Sequence, residues 1–268
     1  MKLSQKKAFT LIELLVTTSI ISLLLGVLVP ALNKARGQCR FVVCKSNIRQ
    51  LYIANHGYSI ENNGFYVRAA YDIYDGAGGR NRWHGVRQSS GPHSDPEKNT
   101  FDPLKGPLRM YLSDGKVKQC SAIIEFLKEG IQAFESGCGG YGYNSVGVGS
   151  RTYKGDIDPM RSSMRAFEIT NPNQKVMFTD AAFMKNGSLI EYSFAEPPKA
   201  VVNFGTGPRE AGRMQPSIHF RHMSYANVVW CDGHVSGEQL DFPESKKSEP
   251  AQFKIGWFGP DDNSLFKP

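Results

Sequence analysis

Between Phe9 and Leu32 the chain runs for 24 residues with one charged side chain, Glu13. As a helix rising about 1.5 Å per residue, that segment is long enough to cross a hydrocarbon core of roughly 30 Å. Its apolar centre, Leu14 to Val29, is broken only by Thr17, Thr18, Ser19, Ser22 and Gly26. Lys2, Lys6 and Lys7 precede it. A removable secretory signal has this layout too, and Val29-Pro30-Ala31 offers a small-residue cut site. A plain membrane anchor needs only the apolar run. Neither reading accounts for Glu13, because a carboxylate inside such a helix costs about 2.5–3.5 kcal/mol at its centre and usually marks function. The three lysines place the N-terminus in the cytoplasm and the chain after about residue 35 on the other side, with Lys34, Arg36 and Arg40 opposing this weakly.

The rest of the chain is of ordinary globular composition, 40% apolar and 21% charged, which excludes disorder throughout. Its 27 glycines and 15 prolines favour many turns and short elements, a β-rich or α+β body. The formal charge of +7 falls to +4 when the three leading lysines are set aside. The remaining basic residues are interleaved with acidic ones, so no nucleic-acid contact is expected. Five cysteines, Cys39, Cys44, Cys120, Cys138 and Cys231, contain no CxxC pair, which argues against zinc-ribbon and thioredoxin patterns. Outside the cytoplasm one or two disulfides are expected, and the odd count leaves one thiol over.

Leu32, Ala35, Cys39, Val42, Val43, Asn47, Leu51, Ala54 and Tyr58 recur at helical spacing, so the helix is predicted to continue amphipathically over 33–60 and to stop at Asn62-Asn63-Gly64. Residues 64–113 mix Tyr66, Tyr71, Tyr74, Trp83 and His84 with glycine turns. These read as core and turn aromatics, with a glycan surface around Trp83 as the alternative. Gly137–Ser150 lacks the Gly-Lys-Ser/Thr ending of a phosphate loop and reads as a structural loop. Ala122–Phe134 is helix-like, and a Cys120–Cys138 bridge across it would close about twenty residues and add roughly 3 kcal/mol. Val176–Asp180 and Ala226–Cys231 read as strands, and Asp232-Gly233 as a type I′ hairpin turn. His219, His222, Asp232 and His234, with Glu238 nearby, are of the types that bind zinc. The plainer reading has His222 bonding backbone around the hairpin and Asp232 filling the turn. No hydrolase elbow, paired-carboxylate pattern or HExxH motif is present, so no enzyme is expected.

The residues Lys6-Lys7-Ala8-Phe9-Thr10-Leu11-Ile12-Glu13-Leu14-Leu15-Val16 resemble the class III leader of type IV pilins and type II secretion pseudopilins. The resemblance implies a leader at 1–8, cleavage by a prepilin peptidase between Ala8 and Phe9, and methylation of the Phe9 amine. Where that family usually has glycine before the cut, this chain has Ala8. Glu13 becomes the fifth mature residue and the counter-charge to the Phe9 amine of a neighbouring subunit, so that neither is left unpaired in an apolar bundle. Pro30 falls at mature position 22, where pilin helices often carry proline. Cys44 to Leu51 resembles the C-x-x-N-L-x-Q-L segment of large pilin-like proteins, and His222, Asn227, Asp232, Gly233 and His234 resemble their C-terminal H-x9-D-G motif. Cys44 and Cys120 look like positions used in that group, so a Cys44–Cys120 bridge stands beside Cys120–Cys138.

The implied fold is α+β and pilin-like, a long N-terminal helix packed on an antiparallel sheet with large loop insertions. The implied organisation is a transmembrane and assembly helix at 9–32 and a periplasmic body at 33–268. The implied function is a subunit of a type II secretion-like pseudopilus or type IV pilus in the inner membrane, with a prepilin peptidase and other pilins as partners. No cofactor is expected, though some pseudopilins use calcium. A binding module for polysaccharide or secreted cargo is the alternative. A membrane-tethered metal enzyme using His219, His222 and His234 comes third.

Overall fold

The structure is a computed structural model, described over residues 10–75, 78–88, 100–127, 135–156, 158–203, 207–241 and 249–268. The chain forms two compact units, Met1–Cys39 and Arg40–Pro268. Helix α1 spans Leu11–Glu61 and runs through Pro30 unbroken. In the first unit its apolar side chains, from Leu11 to Leu32, are exposed. Length and composition suffice for one membrane span.

In the second unit α1 buries one stripe, Cys44, Ile48, Leu51, Ala54, Asn55 and Ser59, at the three- and four-residue spacing of a helix face. Each large apolar side chain in it contributes about 1.5–3 kcal/mol by burial. The stripe lies about one residue round from the sequence expectation. Leu51 and Ala54 are buried as expected, but Val42 and Val43 are exposed. Periodicity ranks apolar side chains alike, whereas the body here accepts the cysteine and two polar residues. The helix ends where the sequence signals it. Asn63 adopts φ 53°, and the Gly64 N–H donates to the Ser59 carbonyl at 2.8 Å, a Schellman cap with asparagine in the left-handed position.

Among the described residues twelve short strands follow: β1 (Asn81–Arg82), β2 (Gly85–Val86), β3 (Tyr141–Tyr143), β4 (Val176–Asp180), β5 (Phe183–Lys185), β6 (Ser188–Ile190), β7 (Lys199–Asn203), β8 (Pro208–Arg213), β9 (Ile218–His219), β10 (Tyr225–Trp230), β11 (Val235–Gln239) and β12 (Ile255–Gly256). Four of them make the central antiparallel sheet, in the order β11-β10-β4-β3; the others pair in two-stranded ribbons. This is the α+β arrangement of a long N-terminal helix with small antiparallel sheets. Along β10, Ala226, Val228 and Trp230 enter one apolar cluster with Trp257, Phe258 and Phe266. Val229 enters the other, with Tyr141, Tyr143, Phe178 and the helix residues Cys44, Ile48 and Leu51. The period-two alternation of a strand puts a core on each face of the sheet.

Three local expectations are corrected. The glycine-rich segment 137–150 contains strand β3, which pairs Tyr141 with Asp180 and Tyr143 with Phe178. Gly142 is needed there, since a Cβ would lie 2.6 Å from the Phe194 carbonyl. The helix-like stretch after Ala122 is one 3-10 turn, Ile123–Glu125, and residues 128–134 of it lie outside the described residues. The β10–β11 hairpin forms, but its loop is not type I′. The Gly233 N–H donates to the Trp230 carbonyl at 2.9 Å and the Trp230 N–H to the His234 carbonyl at 3.1 Å. Positive φ occurs at Gly233, 90°, and not at Asp232. This is the pattern of a three-residue loop, Cys231-Asp232-Gly233, with glycine in the left-handed position.

Candidate functional site

At the start of α1, Ala8 and Phe9 lie outside the described residues, as does the expected leader. Glu13 has a local role that the sequence reading missed. The Thr10 N–H and hydroxyl both donate to Glu13 Oε2, at 2.9 and 2.8 Å, and the Glu13 N–H donates to Thr10 Oγ1 at 3.3 Å. That is a reciprocal capping box, and its signature, Thr-x-x-Glu ahead of an apolar run, was present in the sequence. The carboxylate is thus held at the helix end, where the aligned backbone dipoles favour negative charge.

The second unit brings together a buried polar cluster beneath the helix. Asp180 ends β4 and is wholly buried. Its Oδ1 accepts from Arg221 Nη2 at 2.6 Å, and its Oδ2 accepts from the Asn227 N–H at 2.7 Å. Arg221 Nη2 also donates to the Gly140 carbonyl at 2.6 Å. His222 Nε2 lies 3.5 Å from Asp180 Oδ2 and 3.4 Å from Cys120 Sγ. Cys44 Sγ, from α1, lies 2.9 Å from Cys120 Sγ. Burial pushes the Asp180 carboxyl upward, opposed by Arg221 and His222. Burial likewise holds His219 well below the usual histidine range, with Arg221 adding to it. Tyr141 OH, His219 Nε2 and both polar atoms of the Asn227 side chain have no hydrogen-bond partner among the described residues.

The C-terminal motif residues divide. His222 and Asn227 belong to this cluster. Asp232 and His234 sit in the exposed hairpin loop, where His234 Nδ1 approaches Asp232 Oδ1 at 2.7 Å and its ring stacks on Trp230. Gly233 faces the helix: a Cβ there would lie 2.5 Å from Tyr52 Cε1. Gly237, on β11, makes similar room for Phe41, 2.7 Å from Cζ. Phe41 in turn packs 5.6 Å from the His222 ring. Much of the motif therefore bears on how the helix seats against the sheet.

The structure does not gather His219, His222 and His234. Among the described residues, the ligating atoms that converge are Cys44 Sγ, Cys120 Sγ and His222 Nε2, all within 4.8 Å. Trp83, the anchor of the glycan alternative, is wholly buried and donates through Nε1 to the Ser193 carbonyl at 2.7 Å. It is a core residue, as the plainer reading expected.

Residues 3–29 match the model of the prokaryotic N-terminal methylation motif. That motif is a hallmark of type IV pilins and pseudopilins, and the long apolar helix and α+β arrangement are consistent with a pilin-like fold. It implies processing by a prepilin peptidase and assembly with other pilins. The match covers the N-terminal segment alone. No curated protein and no solved structure matches the chain.

Proposed function

We propose that this chain is a non-enzymatic subunit of a type II secretion-like pseudopilus or type IV pilus, assembled through α1 after cleavage between Ala8 and Phe9. The N-terminus stays cytoplasmic and the body lies in the periplasm. The observation that carries the reading is Glu13, which lies inside the methylation motif and is the one charge in the exposed apolar stretch of α1 up to Leu32. Lateral packing of such helices removes their apolar surface from lipid and water. It brings the Glu13 carboxylate against the Phe9 amine of a neighbour, which sets the register. Val42, Val43, Ile53 and Ile60 stay exposed on the body half of α1 and extend the surface available to a neighbour.

The capping box calls for a two-variant test. Glu13→Ala removes both the cap and the charge. Glu13→Gln keeps a capping side chain and removes only the charge. Both variants are expected to insert into the membrane, and both to lose filaments in shear fractions and electron micrographs. Normal filaments from Glu13→Gln would show that Glu13 serves the helix end, and the counter-charge mechanism would fall. The glycan alternative loses the aromatic it was argued from, since Trp83 is buried.

A further inference from the structure

We propose that Cys44 and Cys120 form a disulfide that ties helix α1 covalently to the body. The inference rests on the proposed periplasmic placement, since disulfides persist in oxidising compartments. The two sulfurs come from positions 76 residues apart in sequence and stand 2.9 Å from each other, both side chains wholly buried. A small movement brings them to the S–S bond length of about 2.05 Å. Cys39 is exposed, and Cys138 and Cys231 are buried; Cys138 adjoins Gly139, whose carbonyl accepts from the Cys120 N–H at 2.9 Å, but the sulfur that meets Cys120 Sγ is that of Cys44.

A metal shared by Cys44, Cys120 and His222 fits less well. Two thiolates on one tetrahedral zinc, at about 2.3 Å each, stand about 3.8 Å apart, and a structural zinc takes four ligands. The nearest fourth group, Asp180, already accepts from Arg221 through Oδ1 and from the Asn227 N–H through Oδ2. Charge favours a disulfide over a free thiolate. Arg221 and Asp180 compensate each other, and a neutral disulfide adds no charge to the buried site, whereas a lasting thiolate would add one.

The surroundings also order the chemistry. Cys120 receives the Cys44 S–H, and the Arg221 Nε–H lies 3.3 Å from its sulfur, with His222 beside it. Of these, Arg221 and His222 belong to the body and favour the Cys120 thiolate before α1 brings Cys44 in, whereas the Cys44 contact acts only in the packed state. As the body folds, the Cys120 thiolate attacks a disulfide-bearing thiol oxidoreductase. A mixed disulfide forms and the oxidant's second sulfur leaves as a thiolate. Cys44, losing its proton to that leaving thiolate, then attacks the Cys120 sulfur and expels the oxidant's first sulfur as a thiolate, which takes a proton from water to complete the dithiol. Two electrons pass from the cysteine pair to the oxidant. Exchange precedes final packing, because neither sulfur is reachable afterwards. The consequence for assembly is that a pull on α1 cannot peel it from the sheet at Cys44.

The test uses the full chain extracted in detergent from membranes of the producing cell. It is denatured in N-ethylmaleimide without reductant, digested and read by mass spectrometry. The expected result is a linked peptide pair containing Cys44 and Cys120, with Cys39, Cys138 and Cys231 alkylated. Alkylation of both Cys44 and Cys120 overturns the proposal, as does a Cys120–Cys138 link. One zinc per chain with both alkylated assigns the metal site instead. Labelling of the exposed Cys39 on intact spheroplasts with a membrane-impermeant maleimide reports the body's side independently. A reduced pair with Cys39 labelled sinks the disulfide alone; a reduced pair with Cys39 shielded sinks the placement as well.

Discussion

Replacing Asp180 by asparagine should be among the most damaging isosteric changes in the body. The side chain keeps its size but loses its charge, and Arg221 is left buried with no counter-ion; both side chains of the pair have no exposed surface. At 2.6 Å and an effective dielectric near 20, the direct attraction is about 6 kcal/mol. Desolvation of each ion costs several kcal/mol, so the pair gains little net. Removing one partner exposes the cost that the attraction was offsetting, about 3–5 kcal/mol. Against a stability of about 5–15 kcal/mol that is a large share. In a chain of this size it lowers Tm by about 6–20 °C. Differential scanning calorimetry of the full chain in detergent, with wild type and variant in the same thiol state, reads the shift. A paired change to apolar residues, Asp180→Leu with Arg221→Met, should recover part of the loss. A fall of less than about 1 kcal/mol for Asp180→Asn would refute the buried ion pair as drawn.

Burial pushes the His84 imidazole down to about 3, with Arg82 adding to it, so the folded state holds it neutral. Its contribution is intact above the ordinary histidine value of 6.5 and is lost as pH falls below that toward 3. At pH 5 the loss is about 2 kcal/mol, and His84→Phe should flatten the fall of denaturant midpoint between pH 7 and pH 5, in part only because His219 shifts the same way. An unchanged slope would mean that His84 is solvated. Gly233→Ala places a Cβ at φ 90° and 2.5 Å from Tyr52, and should cost about 1–3 kcal/mol in urea unfolding. Gly212, with nothing within 4 Å of its Cβ, is the control, and equal costs at the two sites would remove the packing argument.

The membrane-length helix, its stop at Asn63, the two long sheet strands and the β10–β11 hairpin were legible because each depends on local sequence. Apolar spacing, β-prone runs and the left-handed tolerance of asparagine and glycine act over a few residues. The capping box is equally local, Thr10-x-x-Glu13 ahead of an apolar run, and it leaves the same carboxylate two roles, one at its own helix end and one toward a neighbouring subunit. Strand β3 was hidden by its glycines. Gly142 weakens any strand signal, yet the close Phe194 backbone permits nothing larger.

The sequence by itself determined that one helix could lie in a membrane, that it carries a single charge near its start, and that an α+β body follows. Tertiary structure alone decided that Asp180 meets Arg221, that Cys44 meets Cys120, and that Trp83 is core and not surface. Those contacts join residues 41, 76 and 110 positions apart. No local propensity encodes a partner at that distance, because it exists only once the sheet has ordered its strands and the helix has packed onto them.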